Sequence, residues 1–319
     1  YISSKHLSLN SLNLTSLSNF DSIFSLLLLQ NVTSSLYISI LDKPFFNMKI
    51  LFIDTVHSLL KKELENLNHR CDEAYHKNKA QIEEVIKEYD GVVIRSKFII
   101  DKEFITKATN LKFIARAGSG LENIDVSFAK SQNIRCYNAA EGNRQAVAEH
   151  ATGMILSLFN NLSRSDAEVK SGNWNRESNR GIELSGKTIG IIGYGNNGSA
   201  FCDIIKGFGM QILTYDKYLT KYSYKTSMKK IFENSDILSI HIPLTEETSY
   251  LINNKFINQF KKSFFLINTS RGKCVNTNHL VKALKSGKIK GACLDVLEFE
   301  SHSFETLKRN AKEANLEYL

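Results

Sequence analysis

A long block of one charge sign is missing from this chain. Its 41 Lys and Arg against 33 Asp and Glu leave a net charge of +8, spread along 319 residues. The absence of a Lys/Arg block argues against a nucleic-acid-binding stripe, while the mild basic excess suits small anionic ligands. Cysteine is sparse as well: Cys71, Cys136, Cys202, Cys274 and Cys293 are odd in number and form no C-x-x-C. They read as reduced, mostly buried thiols of a cytoplasmic protein, with no metal site expected. The apolar run Phe24-Ser-Leu-Leu-Leu-Leu29 is too short to cross a bilayer, so no membrane partner is expected. Prolines are limited to Pro44 and Pro243 while Asn, Lys and Ile abound, a bias that reflects genome composition rather than protein physics. What remains is ordinary for a globular protein, with 42% apolar and 23% charged residues. The length suggests about two domains.

The first 47 residues stand apart. They contain no Arg, and Lys5, Asp21, Asp42 and Lys43 are their only Lys, Asp or Glu. Without a basic start they do not read as a secretory signal, and without Arg not as a mitochondrial transit peptide. Met48-Lys-Ile-Leu-Phe-Ile-Asp54 looks like a natural start on a buried strand. Residues 1–47 are therefore expected to be a spurious upstream extension, or alternatively a leader, and to be poorly ordered.

From Met48 onward, strand and helix patterns alternate. Lys49–Asp54, Gly91–Ser96 and Lys112–Ala117 read as buried strands. Helices are expected over Ser58–Leu67 and Lys79–Tyr89, where apolar residues recur three and four apart. Ala146–Phe159 is apolar on most sides, so a helix there should be buried between domains or against a second subunit. A homodimer through that helix is the expectation. A second series has strands over Thr188–Gly193, Gln211–Asp216, Ile237–Ile242, Phe264–Asn268 and Gly291–Val296. Its helices fall near Ser199–Phe208, Ser227–Asn234 and Asn278–Ser286. The fold class expected is α/β, with two Rossmann-like or flavodoxin-like doubly wound parallel-sheet domains.

The most informative stretch is Thr188-Ile-Gly-Ile-Ile-Gly-Tyr-Gly-Asn-Asn-Gly198, followed by Ile212-Leu-Thr-Tyr-Asp216. A β-branched strand feeds G-x-G-x-x-G at Gly193, Gly195 and Gly198; a helix-compatible run follows, then a second strand ending in an acid. That is the order a dinucleotide-binding βαβ unit requires. Gly193 permits the tight turn, Gly195 lets the backbone approach a pyrophosphate, and Gly198 lets helix and strand pack closely. Unpaired N–H groups at the helix N-terminus attract phosphates. Asp216 is placed to accept hydrogen bonds from both ribose hydroxyls of NAD and to repel a 2′-phosphate. A lone glycine triplet is a weak signal, and the flanking strand and acid make this one specific.

Two later strand ends carry polar chemistry. Leu266-Ile-Asn-Thr-Ser-Arg-Gly272 sets Asn268, Thr269, Ser270 and Arg271 past the carboxyl end of a strand, where open α/β sheets bind ligands. An Arg there can hold a carboxylate through two parallel hydrogen bonds and polarise an adjacent carbonyl. Loop arginines more often make a cap or a surface pair. Gly291-Ala-Cys-Leu-Asp-Val-Leu-Glu-Phe-Glu300 brings in Asp295, Glu298 and Glu300. Asp295, on an otherwise apolar strand, needs a partner; Glu298 and Glu300 read equally well as solvent-facing carboxylates.

Taken in order, these pieces resemble the D-isomer-specific 2-hydroxyacid dehydrogenases, and within them the D-3-phosphoglycerate dehydrogenases that lack a regulatory domain. The matching pieces include R-S-K-F at Arg95, A-R-A-G-S-G-L-E-N-I-D from Ala115 and E-G-N-R-Q-A-V-A-E-H from Glu141. They continue with G-Y-G-N-N-G from Gly193, H-I-P-L-T from His241, L-I-N-T-S-R-G from Leu266 and the run to Glu300, covering about residues 48–300. The resemblance implies NAD as cofactor. It implies that Arg271 holds the substrate's carboxylate and carbonyl, and that Glu300 pairs with a catalytic histidine, whose protonated form a carboxylate favours. Asp295, Thr269 and Ser270 then surround the nicotinamide, Ile242 lies on the cofactor loop, and Asn196 and Asn197 contact the pyrophosphate. Ser119 and Gly120 meet the substrate and the nicotinamide end. Arg95, Ser96 and Lys97 form a cationic lip for a substrate phosphate, a structural salt bridge being the alternative for the two cations. The implied boundaries are 48–145 for a substrate-binding domain, 146–298 for an NAD-binding domain and 299–319 for a truncated terminal segment.

One family element is not found. The catalytic histidine belongs beyond Glu300 in a P-H context, but His302 stands only two residues past it, His241 matches a cofactor-loop position and His150 lies on the long helix. The chain is therefore expected to be a fragment, without the proton-transfer residue and without the last strand of its NAD-binding sheet. The implied activity is oxidation of a D-2-hydroxy acid, D-3-phosphoglycerate to 3-phosphohydroxypyruvate, at the first step of serine synthesis. A glyoxylate, hydroxypyruvate or D-lactate-type reductase is the alternative. An inactive NAD-sensing scaffold is the alternative of another class.

Overall fold

A computed structural model describes residues 47–299. The expectations for residues 1–46, for Glu300 and for residues 301–319 lie outside the described residues. The chain divides into two compact units between Asn143 and Arg144.

The first unit runs β1 (Lys49–Phe52), α1 (Ser58–Asn66), β2 (Arg70–Glu73), α2 (Lys79–Glu83), β3 (Gly91–Ile94), α3 (Lys102–Lys107), β4 (Phe113–Arg116), α4 (Val126–Ser131) and β5 (Arg135–Asn138). Its strands are parallel in the order β2-β1-β3-β4-β5. Alternation along the strands sends Leu51, Val92, Ile94 and Ile114 to one core, under Ile82, Phe104 and Ala129 of the helices. Ile50, Phe52, Val93 and Phe113 go to the other, under Leu60 and Leu64. Burial on both faces is why the inner strands read as continuous apolar runs.

The edge strands β2 and β5 were not foreseen: they read RCDE and RCYN and are only partly buried. The single helix expected over Lys79–Tyr89 also breaks. It stops at Glu83 and gives way to one 3₁₀ turn at Ile86–Glu88, with Val85 at φ −108° between them. Two successive β-branched residues, Val85 and Ile86, lose rotamer freedom in a helix and weaken its continuation.

The second unit runs α5 (Arg144–Phe159), α6 (Leu162–Lys170), β6 (Thr188–Ile192), α7 (Asn196–Ile205), β7 (Gln211–Tyr215), α8 (Met228–Asn234), β8 (Ile237–Ile240), α9 (Asn254–Ile257), β9 (Phe264–Asn268), α10 (Thr277–Lys285) and β10 (Ile289–Leu294). The order is β10-β9-β8-β6-β7, again parallel. Ile189 and Ile191 pack under Ala148, Ala151 and Ile155 of α5 and Phe201 and Ile205 of α7. Leu238, Ile240 and Leu266 pack on the opposite face with Phe256, Phe260 and Leu280. In each sheet the order reverses at the first strand, between β1 and β3 or between β6 and β8, the switch point where such sheets bind ligands. Among the described residues no helix is long and apolar enough to cross a membrane.

Candidate dinucleotide and substrate sites

β6 ends at Ile192 and the chain turns at once. Gly193 takes φ +93°, and a Cβ there would lie 2.3 Å from the His241 carbonyl oxygen. Gly198, one helical turn on, would place a Cβ 1.9 Å from the Gly193 carbonyl oxygen. Any side chain at either position would push the turn, α7 and the end of β8 apart. Between them Gly195 is the N-cap of α7; it offers no side-chain cap, and nothing lies within 4 Å of where its Cβ would be. Ser199 N–H is the first to bond back, to the Gly195 carbonyl. The opening N–H groups of α7 are thus left for a ligand, at the positive end of a helix ten residues long. Beside them the Asn197 Oδ1 is buried with no partner.

Asp216 follows β7. Its Oδ2 accepts from Tyr194 N–H at 2.8 Å, and its Oδ1 from Tyr218 N–H at 2.9 Å and Leu219 N–H at 3.0 Å. Burial works to raise its carboxyl, but the three backbone donors outweigh this and hold it below the ordinary carboxylate value. A carboxylate has about four acceptor sites, so these bonds leave room for one direct ribose hydroxyl, not the two expected. A cavity of about 380 Å³ adjoins these groups, lined by Gly193, Gly195, Asp216, His241, Ile242 and Phe256 among others. An open helix N-terminus, an ionised acid at the next strand end and an apolar floor together fit a dinucleotide.

His241, matched in the sequence to a cofactor-loop position, lies beneath the glycine turn. Its ring bonds Ser239 Oγ at 2.9 Å, approaches Thr269 Oγ1 at 3.5 Å and packs 5.2 Å from the Phe201 ring. Burial lowers its pKa to about 4, so the ring is neutral at physiological pH. Thr269 and Ser270 are themselves buried after β9. The fully buried Asn268 shapes this turn: its Oδ1 accepts from Ser270 N–H at 3.0 Å and Ser270 Oγ at 2.8 Å, and its Nδ2 donates to the Arg271 carbonyl at 3.1 Å. The Arg271 guanidinium donates to the Ser270 carbonyl at 2.7 Å.

Asp295 lies just past β10, not on it as expected. It is half-exposed and pairs with His150 of α5 at 3.1 Å, while its N–H donates to the Asn268 carbonyl. Glu298 is no idle surface acid. It accepts from Thr277 N–H at 2.7 Å, at the start of α10.

In the first unit, Asp54 follows β1 and Arg95 follows β3. One oxygen, Asp54 Oδ2, accepts from the N–H groups of Arg95 at 2.6 Å, Ser96 at 2.9 Å and Lys97 at 3.1 Å. Lys97 departs from the expectation of a phosphate-facing cation: its ammonium points to the carbonyls of Ile53, Ala74 and Tyr75. Arg95 is exposed, and its carbonyl accepts from Arg116 Nε at 3.0 Å. Ser119 and Gly120 follow β4, where Asn138 Nδ2 donates to the Ser119 carbonyl at 2.8 Å. Among the described residues, no cluster of three or more His, Cys, Asp or Glu is placed to hold a metal ion.

Fold and site together define an α/β protein of the dinucleotide-binding class. The family model for the D-isomer specific 2-hydroxyacid dehydrogenase, NAD binding domain, matches residues 152–315. The chain belongs to that family and carries its NAD-binding domain. The D-3-phosphoglycerate dehydrogenase of Bacillus subtilis is 37% identical over 234 residues, 72% of this chain and 45% of the relative. The hydroxypyruvate reductase of Thermotoga maritima is 35% identical over 237 residues, 73% of this chain and 78% of the reductase. Among solved structures, a glyoxylate reductase from Paecilomyes thermophila superposes with TM-score 0.71 at 25% identity, covering 81% of this chain and 83% of that one. The NAD-dependent formate dehydrogenase of Staphylococcus aureus, in complex with NAD, gives 0.67 at 28%, covering 82% and 86%. The chain spans about half the length, or slightly less, of the first phosphoglycerate dehydrogenases it matches.

Proposed function

We propose that this protein takes part in NAD-dependent oxidation of a D-2-hydroxy acid, and that the acid is D-3-phosphoglycerate, oxidised to 3-phosphohydroxypyruvate in serine synthesis. The observation that carries the cofactor half is the coincidence of Gly193, the open N-terminus of α7 and the ionised Asp216 around one cavity. Gly193, Gly195, Asn196, Asn197 and Gly198 would hold the pyrophosphate, Asp216 a ribose hydroxyl, and Ile242, Thr269, Ser270 and Asp295 the nicotinamide end. Bound NAD supplies the hydride acceptor.

Arg271 would clamp the substrate carboxylate and polarise the reacting carbonyl oxygen, its turn held in place by Asn268. Ser119 and Gly120 would offer backbone N–H groups to the same substrate, and Arg95 its guanidinium to the phosphate. Glu300 is the proposed carboxylate partner of the proton-transfer histidine.

A second reading, a reductase of glyoxylate or hydroxypyruvate, is favoured by one observation. Lys97 spends its charge on main-chain carbonyls, leaving Arg95 as the cation of the lip that is still turned outward. A substrate panel on wild type and Arg95→Ala separates the two. With the panel measured as binding to the NADH-loaded chain, the phosphoglycerate reading predicts that affinity falls about ten- to a hundred-fold for the phosphorylated acid, as for a lost charge-assisted contact, and little for glyoxylate. Equal losses for both acids would remove Arg95 from phosphate recognition.

We further propose a homodimer formed through α5 and the segment that follows it. Leu162 and Val169 of α6 are each 52% exposed and Trp174 is 80% exposed, an apolar surface that a second copy would cover.

A further inference from the structure

The cavity beside Asp216 is bridged at its rim by three side chains from two loops. Lys217 and Tyr218 follow β7, and Glu247 follows β8; all three line the cavity with Asp216 and Gly195. Glu247 Oε1 takes the Lys217 ammonium, and Oε2 accepts from the Tyr218 hydroxyl at 3.1 Å. The Lys217 ammonium also lies 5.7 Å from the centre of the Tyr218 ring.

Neither loop is slack. The Asp216 carboxylate fixes the first through the N–H groups of Tyr218 and Leu219. Thr248 fixes the second, its hydroxyl accepting from Thr245 N–H at 2.8 Å and donating to the Pro243 carbonyl at 2.6 Å. The clasp therefore joins two set turns. As an exposed ion pair it adds little to stability, so its consequence lies in what it does to charge.

Pockets that take a 2′-phosphorylated dinucleotide place a cation near the end of this strand. Lys217, immediately after Asp216, stands in that position but is neutralised by Glu247. We propose that Glu247 is a cofactor-specificity residue, which withholds Lys217 from a 2′-phosphate and sets a second carboxylate against it. The Lys217 contact, and after it the Tyr218 hydroxyl, holds the Glu247 carboxyl below its ordinary value. The Glu247 contact raises the Lys217 ammonium above its own. Both groups are thus charged at neutral pH, with Asp216 and Glu247 giving two negative charges against one positive. Exchanging Glu247 for a neutral residue leaves one of each and releases the cation.

The inference rests on the NAD reading of this cavity, and the test separates the two. NADH and NADPH are titrated calorimetrically at low ionic strength, where exposed charges are least screened, into wild type, Glu247→Gln, Lys217→Gln and the double variant. Glu247→Gln is expected to raise the NADPH-to-NADH affinity ratio about ten-fold, with NADH binding nearly unchanged. Lys217→Gln should not raise the ratio, and the double variant should lose the gain, because that gain needs the freed ammonium. An unchanged ratio in Glu247→Gln with NADH still bound overturns the specificity role alone. A gain that persists in the double variant overturns it too. Failure of wild type to bind NADH overturns the cofactor reading and this inference together.

Discussion

At the residue scale, the positions legible in the sequence are those whose demand comes from the backbone. Gly193 and Gly198 were readable because only glycine fits a left-handed turn or a close approach to a carbonyl, and spacing from β6 to α7 announces both. Asp216 was readable from its place at a strand end, but its three backbone donors were not, since they come from Tyr194 and from the turn that Asp216 itself organises. Asn268 and His241 were noted only by their place at a strand end and on the cofactor loop, and Glu247 was not noted at all, because what each does is set by its partners in the fold. His241 meets Phe201 and Thr269, and Glu247 meets Lys217, all distant in sequence, whereas Asn268 shapes its own turn through Ser270 and Arg271.

His241 also gives the fold a pH dependence. Its folded pKa of about 4 lies below the usual value of 6.5. Between those values the unfolded chain binds a proton that the folded chain refuses. Stability is therefore complete above about pH 6.5 and declines as pH falls toward about 4, by at most about 3 kcal/mol before solvent screening. Thermal unfolding of wild type and His241→Asn across that window should show the wild type losing its lead as pH falls. Parallel curves would place the dependence elsewhere.

At the element scale, the inner strands of both sheets and the edges β7 and β10 of the second were legible, and the edges of the first sheet were not. Strands such as β6 and β9 sit between two cores and read as unbroken apolar runs. At the edges, β2 and β5 face solvent on one side, and their sequences RCDE and RCYN carry no apolar period. Expected bounds tended to overrun at the carboxyl ends, where the residues that follow turn away to form the ligand loops; Asp295 is such a case. The long apolar run predicted as a helix is α5, with Ala148, Ala151, Ile155 and Phe159 buried against the second sheet. If the exposed apolar face after it is a subunit interface, Leu162→Glu combined with Trp174→Ala should yield monomers in sedimentation while NADH binding persists. An unchanged mass, or a wild type already monomeric, would refute that interface.

At the scale of the whole molecule, two units built on the same strand order each bring their candidate residues to the carboxyl ends of the strands, at the switch point and on the strands beside it. In the first these are Asp54, Arg95 and Ser119; in the second Gly193, Asp216, His241 and Arg271. That the fold was read so fully follows from parallel α/β units, whose alternation of short apolar runs with amphipathic helices is a local signal. The substrate was not, because a phosphate lip depends on where one lysine points, and Lys97 points to carbonyls. The claim on which all else depends is that the β6–α7–β7 unit holds NAD. Calorimetric titration of NADH and NADPH into the wild-type chain and Gly193→Val tests it most directly. The account predicts one saturable NADH site per chain, weaker binding of NADPH, and loss of NADH binding in a variant that still unfolds cooperatively. Absence of saturable NADH binding by the wild type, or binding undiminished in Gly193→Val, would contradict it.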